Sequence, residues 1–304
     1  MKEKRIVVLG SCNTDMVVRV AHLPQPGETI IGSDFMINQG GKGANQAVAV
    51  SRLGGHVSFV ARVGNDGFGQ QSVKLLKSEG IDVSYVKLTE GVSTGVALIP
   101  VDSNGENCII VDSGANAKLS EQDVLSAREI IESADVLLMQ LETPINTVLA
   151  AAKMAHEHGA LVVLNPAPFP QQPLPLDLLR LVDIITPNET EASMMSGVQV
   201  VDEESASKAI VKIQSMGVGT VILTAGGKGA YTMKEGVLCH IPAFPTHVVD
   251  TTAAGDTFCG ALCVSLCEGS SLEDAIRFAN KAASISVTRV GAWCSIPHRS
   301  ELHA

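Results

Sequence analysis

Apolar positions along the chain fall into short β-branched runs separated by longer stretches of helical period. Near-continuous apolar runs at 5–9, 56–63, 135–141, 160–164, 182–186 and 219–224 predict strands. Between them, the three-to-four-residue spacing predicts helices at 43–53, stopped by Gly54-Gly55, and at 67–79, stopped by Gly80. A third helix, 121–132, opens with Ser120-x-x-Asp123 as a capping box, and a fourth, 144–157, carries Pro144 in its first turn. Further helical stretches are 189–196, 203–216 closed by Gly217, 254–267, and 272–288 behind Ser271-x-x-Asp274. Strands alternating with helices of this length form crossover units. The pattern therefore predicts an α/β fold with a doubly wound, mainly parallel sheet flanked by helices. No internal repeat or low-complexity linker interrupts it, so 1–304 reads as a single α/β domain.

Two stretches, 15–38 and 93–112, break the rhythm. They hold strand-like runs (16–20, 29–31, 95–99 and 108–111) with no helix between them. These read as a small antiparallel flap added to the main sheet. Such a flap exposes an apolar face unless it covers a ligand or meets another subunit, so it is expected to serve both as a β lid and as the contact of a homodimer.

Lys and Arg number 22 against 32 Asp and Glu, a net charge of −10, and hydrophobic residues make up 45% of the chain. The apolar content suffices for a real core. The acidic surface repels phosphate backbones and anionic lipid, so neither nucleic acid nor membrane is expected as a partner. A local nest of amides can still bind a small anion at any net charge. The N-terminal apolar run, Ile6 to Leu9, is too short for a signal-peptide core, and nothing downstream reaches the length of a membrane span. A cytoplasmic protein is expected. Its seven cysteines are odd in number and scattered from Cys12 to Cys294, which does not suggest a disulfide framework. Cys259, Cys263 and Cys267 share one helix face, but no CxxC or nearby His completes a metal site, and they read as small buried residues.

Glycine-rich segments follow strands or precede helices, where a doubly wound sheet places its ligands. None is a standard nucleotide fingerprint. A Walker loop needs Gly five positions before its Gly-Lys, and those positions hold Met36 and Ile222; no G-x-G-x-x-G occurs at all. A nicotinamide enzyme is disfavoured accordingly. The most informative segment is Asp250-Thr-Thr-Ala-Ala-Gly-Asp256-Thr-Phe-Cys-Gly260. Small residues Ala253, Ala254 and Gly255 let backbone N–H groups converge at the start of the 254–267 helix. Unpaired amides and the positive end of the helix dipole there suit a transferring phosphoryl group. Asp256 stands at the mouth of this anion hole, where a carboxylate can take a proton from an attacking hydroxyl. By itself, an Asp in a first helical turn is equally an ordinary helix start.

Gly40-Gly41-Lys42-Gly43-Ala44-Asn45-Gln46 precedes an Ala-rich helix; its glycines allow close approach to a polyhydroxylated ligand, while Lys42 and Asn45 offer donors. Leu223-Thr224-Ala225-Gly226-Gly227-Lys228-Gly229 could lie along a nucleotide, or be a simple turn. Asn188-Glu-Thr-Glu191 could order water and Mg²⁺ around phosphates, or merely cap a helix.

In order and spacing, these segments resemble the ribokinase, or B-type phosphofructokinase, family of ATP-dependent carbohydrate kinases over nearly the whole chain. The residues carrying the resemblance are Asn13-x-Asp15, the 40–46 glycine segment, Met139-Gln-Leu-Glu142, Asn165-Pro-Ala-Pro168, Pro187-Asn-Glu-Thr-Glu191 and 250–262. The resemblance implies that Asn13, Thr14, Asp15, Gly41, Lys42, Gly43, Ala44, Asn45 and Glu142 bind the sugar, with Asp256 as catalytic base also touching it. Ala253, Ala254 and Gly255 would line the anion hole, and Asn188 and Glu191 would serve the phosphate–Mg²⁺ side. Thr224, Ala225, Gly226, Gly227, Lys228, Gly229 and Asn280, with Gly255 and Asp256, would hold ATP. An activating monovalent cation, K⁺, would sit among oxygens of Asp250, Thr252, Ser286, Arg289, Gly291 and Ser295. Ala254, Ala225 and the Trp293-Cys294 pair depart from the family's commoner residues.

The implied reaction is phosphorylation of the primary hydroxyl of D-ribose. The polar set Asn13, Asp15, Lys42, Asn45 and Glu142 favours a fully hydroxylated pentose, since buried polar groups left unpaired penalise a deoxy analogue. A kinase acting on 2-deoxyribose, another sugar or a nucleoside is the first alternative, and a non-catalytic sugar or nucleotide sensor of the same fold is the second.

Overall fold

The computed structural model describes residues 4–303. Its strands, in chain order, are β1 (Arg5–Leu9), β2 (Asn13–Arg19), β3 (Ser33–Gly40), β4 (His56–Gly64), β5 (Asp82–Thr89), β6 (Gly95–Val101) and β7 (Ile110–Asp112), then β8 (Val136–Met139), β9 (Leu161–Leu164), β10 (Ile184–Ile185), β11 (Thr220–Val221), β12 (Leu223–Thr224), β13 (Gly229–Lys234) and β14 (Val237–Pro242). The helices are α1 (Lys42–Arg52), α2 (Gly67–Ser78), α3 (Glu121–Ser126), α4 (Arg128–Glu132), α5 (Ile145–Glu157), α6 (Leu176–Leu179), α7 (Glu189–Ser196), α8 (Glu203–Gln214), α9 (Ala254–Cys267) and α10 (Leu272–Ser286).

The main sheet has seven strands in the order β11-β10-β9-β8-β1-β4-β5, every neighbouring pair parallel. Its central strands β1, beyond Arg5, and β8 are wholly apolar and buried, as a sheet covered on both faces requires. One core lies between the sheet and α1, α9 and α10, the other between the sheet and α5, α6 and α8, with Phe59 and Ile6 in the first and Leu137 and Ile210 in the second. Because strand order reverses on either side of β1, the carboxyl ends of β1, β8, β9 and β10 face a common crevice, where such sheets place ligands.

Most predicted elements stand within two residues of expectation, and the 189–196 and 254–267 helices coincide with α7 and α9. The Ser120–Asp123 capping box forms, its Asp123 also pairing with Arg62. Four readings need correction. The 121–132 stretch breaks at Ala127 into α3 and α4, and the 219–224 run divides into β11 and β12, the second joining β13 and β14 in a separate three-stranded antiparallel sheet. The β13–β14 hairpin and β5 had no counterpart in the pattern; β5 is an edge strand whose polar Asp82, Ser84 and Lys87 interrupt any apolar run. Residues 29–31 are not a strand, β3 instead occupying Ser33–Gly40. The flap is a four-stranded sheet, β3-β2-β6-β7, but mixed rather than antiparallel, because β2 and β6 run parallel. It does carry exposed apolar side chains, among them Phe35, Ile37, Leu98 and Ile110. Cys259, Cys263 and Cys267 are buried as expected. Among the described residues, no helix is long and apolar enough to cross a membrane.

Candidate active site

The site forms where the first turns of α1 and α9 meet at the carboxyl edge of the main sheet. β1 runs through Gly10-Ser-Cys directly into β2, so Asn13 and Asp15 leave the sheet edge at the base of the lid. β2 pairs with β3, bringing Asn13 opposite Gly40. A Cβ on Gly40 would sit 2.1 Å from Asp15 Oδ2, so only glycine lets this carboxyl lie against the strand. Gly41 then opens α1 at a φ of 87°, turning the chain so that Lys42, Asn45 and Gln46 project from one end.

Glu142 ties this corner together. Its Oε2 accepts from the Lys42 backbone N–H at 3.0 Å and from the Ser11 hydroxyl. Asp256, on the first turn of α9, is 6% exposed; its Oδ2 accepts from Asn45 Nδ2 at 2.8 Å and its Oδ1 from Gln46 Nε2 at 2.9 Å. Ala253, ahead of the helix, holds a left-handed φ of 59°, and no side chain caps α9. A non-glycine residue there carries local strain, and the positive helix end is left open toward the crevice. The Ala254 amide is not part of this opening, since it donates to the Thr251 carbonyl at 3.2 Å.

Electrostatics follow from crowding several charges under cover. Burial, reinforced by the Glu142 and Asp256 charges, pushes the Asp15 carboxyl up to about 6. For Lys42, burial opposes the charge, but Asp256, Glu142 and Glu191 outweigh it and raise its affinity for its proton. Burial also raises the Glu191 carboxyl, and holds the Cys12 and Cys259 thiols at about 12, which makes nucleophilic thiol chemistry here untenable.

Three cavities adjoin these groups. One of about 420 Å³ lies toward the lid between Asn13, Asn116, Glu142 and Val111. A second, about 200 Å³, is lined by Lys42, Asn165, Glu191, Gly255 and Asp256. The third, about 370 Å³, shares Asn188, Thr224 and Gly255 with the second and extends past Gly226 and Gly227 to Phe244, Val248 and Asn280. Side chains added at Gly226, Gly227 or Gly255 would meet nothing within 4 Å, so these glycines leave an open floor that a Cβ would fill. That floor, with apolar walls beyond it, fits a nucleotide whose phosphates reach Gly255.

Not every expected residue faces these spaces. Thr14 and Ala44 are wholly buried, and Ala225 is buried beneath its loop. Gly43 packs against the Gly10 backbone, where any Cβ would lie 2.6 Å from the Gly10 carbonyl carbon. Lys228 extends to Glu189, with Nζ and Oε1 3.0 Å apart. Asn188 and Glu191 do cap each other, the helix-start alternative, yet both still line the crevice. The 250–252 and 286–295 segments are brought together: Asp250 Oδ2 accepts from Gly291 N–H at 2.8 Å, and its Oδ1 from the Thr252 amide and hydroxyl. Ser286 and Ser295 are buried beside them, their hydroxyls donating to the Ala283 and Ala292 carbonyls, while the Arg289 guanidinium pairs with Glu301 and leaves only its backbone oxygen to offer a cation. Among the described residues, no cluster of three His, Cys, Asp or Glu side chains is placed to hold a metal ion.

Two contributors escaped the sequence reading. Asn116 accepts from the Cys12 N–H at 2.9 Å and donates to Asn13 Oδ1 at 2.6 Å, leaving the Asn13 Nδ2 as the group free to donate into the lid cavity. Gln46 was visible only as the last letter of a glycine motif.

This arrangement is that of a carbohydrate kinase. Residues 3–299 match the model of the pfkB family of carbohydrate kinases, and the chain belongs to that family. It is 47% identical over 298 residues to a ribokinase of Haemophilus influenzae, covering 98% of this chain and 97% of that protein. A deoxyribokinase of Salmonella typhi is 36% identical, covering 96% of this chain and 95% of that protein. Arabidopsis thaliana ribokinase, in a structure complexed with ribose and ATP, superposes with a TM-score of 0.91 at 36% identity, covering all of this chain and 98% of that one.

Proposed function

We propose that this chain phosphorylates D-ribose at its primary 5-hydroxyl with ATP, acting as one α/β unit under a β lid. The observation that carries the reading is the placement of Asp256: a buried carboxylate at an uncapped helix N-terminus, lining the polar cavity of Lys42, Asn165 and Glu191 that adjoins the glycine-floored cleft. Ribose would lie among Asn13, Asp15, Gly41, Lys42, Asn45 and Glu142. ATP would lie over Thr224, Gly226, Gly227, Gly229 and Asn280, its γ-phosphate toward Gly255. Asp256 takes the proton of the 5-hydroxyl as that oxygen bonds to the γ-phosphorus; the bond from phosphorus to the bridging oxygen breaks, releasing ADP. The amides of Gly255 and Asp256 and the Lys42 ammonium, the latter kept charged by its three carboxylate neighbours, stabilise charge building on the phosphoryl oxygens.

Mg²⁺ would supply charge neutralisation on the phosphates, and the Asn188 and Glu191 side chains would hold it through water. K⁺ would be held by oxygens of Asp250, Thr252, Ser286, Arg289, Gly291 and Ser295, whose two segments are joined by the bond from Gly291 N–H to Asp250. Lid closure would exclude water and limit ATP hydrolysis. The exposed apolar lid face favours a homodimer, and the protein would work in the cytoplasm.

A coupled ADP-release assay across ribose, 2-deoxyribose, hexoses and nucleosides tests the reading. Ribose is expected to give the highest kcat/KM. Preference for 2-deoxyribose would move the assignment to the first alternative, and tight sugar binding without turnover on any acceptor would make the protein a sensor.

A further inference from the structure

Four adjacent strands of the main sheet end in register: Leu9 pairs with Met139, Met139 with Leu164, and Leu164 with Ile185. The next residue of each strand is therefore aligned with the others, giving a row of Gly10, Gln140, Asn165 and Thr186 along the crevice floor. Three of these meet Gln46 of α1 through a single hydrogen-bonded chain. The Thr186 carbonyl can only accept, so the Asn165 group facing it, 3.1 Å away, is Nδ2. Asn165 Oδ1 is then an acceptor, and Gln46 must turn its Nε2 toward it, at 3.2 Å. Gln46 Oε1 accepts in turn from Gln140 Nε2 at 2.6 Å. With one Nε2 hydrogen given to Asn165, the other is left for Asp256 Oδ1, 2.9 Å away. Gln46 and Gln140 are fully buried, so water does not compete for the bond between them.

We infer that Gln46 is a positioning residue for Asp256: a backbone carbonyl at the sheet edge sets the sense of the amide chain, and the chain aims a fixed N–H donor at the carboxylate. Together with Asn45 on Oδ2, this leaves the carboxylate one rotational setting and one lone pair per oxygen facing the crevice. Gly10 belongs to the same device, since a Cβ there would lie 2.0 Å from Gln140 Oε1. The inference rests on the proposed role of Asp256 as base.

The test is steady-state kinetics of Gln46→Glu, Gln46→Leu and Gln140→Leu beside the parent enzyme. Gln46→Leu is expected to lose about 10–100-fold in kcat with the KM for ATP within about twofold, and Gln140→Leu about tenfold, the scale seen when groups orienting a functional residue are removed. Gln46→Glu replaces the donor with a second carboxylate against Asp256. Its activity relative to the parent is expected to rise at least tenfold between about pH 8 and about pH 5.5, as the introduced carboxyl gains a proton and can again donate. Asp15, Lys42, Glu191 and Cys259 also face Asp256, and the parent profile recorded in parallel accounts for their titration. A pH-independent loss in Gln46→Glu, or an unchanged kcat in Gln140→Leu, overturns the inference, the latter even if neither Gln46 variant folds. Loss of activity in Asp256→Asn with normal Gln46 and Gln140 variants leaves the kinase reading standing and removes only this one; full activity in Asp256→Asn removes both.

Discussion

Asn45 and Asp256 are 211 positions apart in the chain, yet the Asn45 side-chain amide donates to Asp256 Oδ2 across 2.8 Å. The approach depends on close packing of α1 on α9. At Gly260, one turn beyond Asp256, an added Cβ would lie 2.6 Å from the Ala49 Cβ and 3.0 Å from the Gln46 carbonyl oxygen. Small residues at the crossing thus bring two helix N-termini, and the side chains on them, to a single point.

Replacing Gly260 should therefore damage both stability and chemistry. Gly260→Val is expected to cost about 1–3 kcal/mol through overpacking, and to lower kcat by more than the loss of folded protein explains, because Asn45 and Gln46 retreat from Asp256. Thermal denaturation and kcat corrected for folded fraction check this.

Asp256→Asn should lower kcat by about a thousandfold, within the range for removal of a general base, while ATP affinity changes by less than about threefold. Calorimetric titration with a non-hydrolysable ATP analogue separates the two effects.

Asp15 gives a pH dependence of definite sign. Its carboxyl is raised from 3.8 to about 6 in the folded chain, so the folded state holds this proton more firmly than the unfolded one. That preference supports folding below about pH 4 and is lost as pH rises through about 6. In the sugar-free protein, Asp15→Asn is therefore expected to raise Tm by roughly 2–5 °C at about pH 7.5, with the gain vanishing near pH 4. Scanning calorimetry at the two pH values decides it, and ribose binding should be lost in the same variant.

Gly255→Ala separates stability from function in opposite directions. Nothing lies within 4 Å of the added methyl, and alanine favours the helix by about 0.5–1 kcal/mol, so Tm should not fall. The methyl occupies the floor where the γ-phosphate must pass, and kcat/KM for ATP should drop by about 10–100-fold.

The lid face offers a check on assembly. Ile110, exposed at the start of β7, should contribute to a homodimer contact, and Ile110→Asp is expected to weaken dimerisation about a hundredfold, read by sedimentation equilibrium. A monomeric parent protein would remove the lid from any role in assembly.

Local information determined much of this protein. The alternation of β-branched runs with capped helical stretches, Gly80 and Gly217 as stops, and the Ser120–Asp123 box are signals among near neighbours, and the elements predicted from them exist, though the 121–132 helix and the 219–224 strand are each divided. The glycine segment with Lys42 and Asn45 and the helix start with Gly255 and Asp256 stood out as motifs, Glu142 entered through the family resemblance, and the structure gathers these residues at one corner. Tertiary structure alone decided the rest. The parallel β2–β6 pairing joins segments some 80 residues apart, and no local period records a strand's direction relative to a distant partner. The Ala127 break, the split of 219–224 between two sheets and the edge strand β5 depend on what each segment packs against. Most plainly, the amide chain from Thr186 through Asn165 and Gln46 to Asp256 uses residues from two strand ends and two helices. Isolated Asn and Gln residues carry no periodic signal; their roles arise only when the in-register sheet edge sets their donors and acceptors face to face.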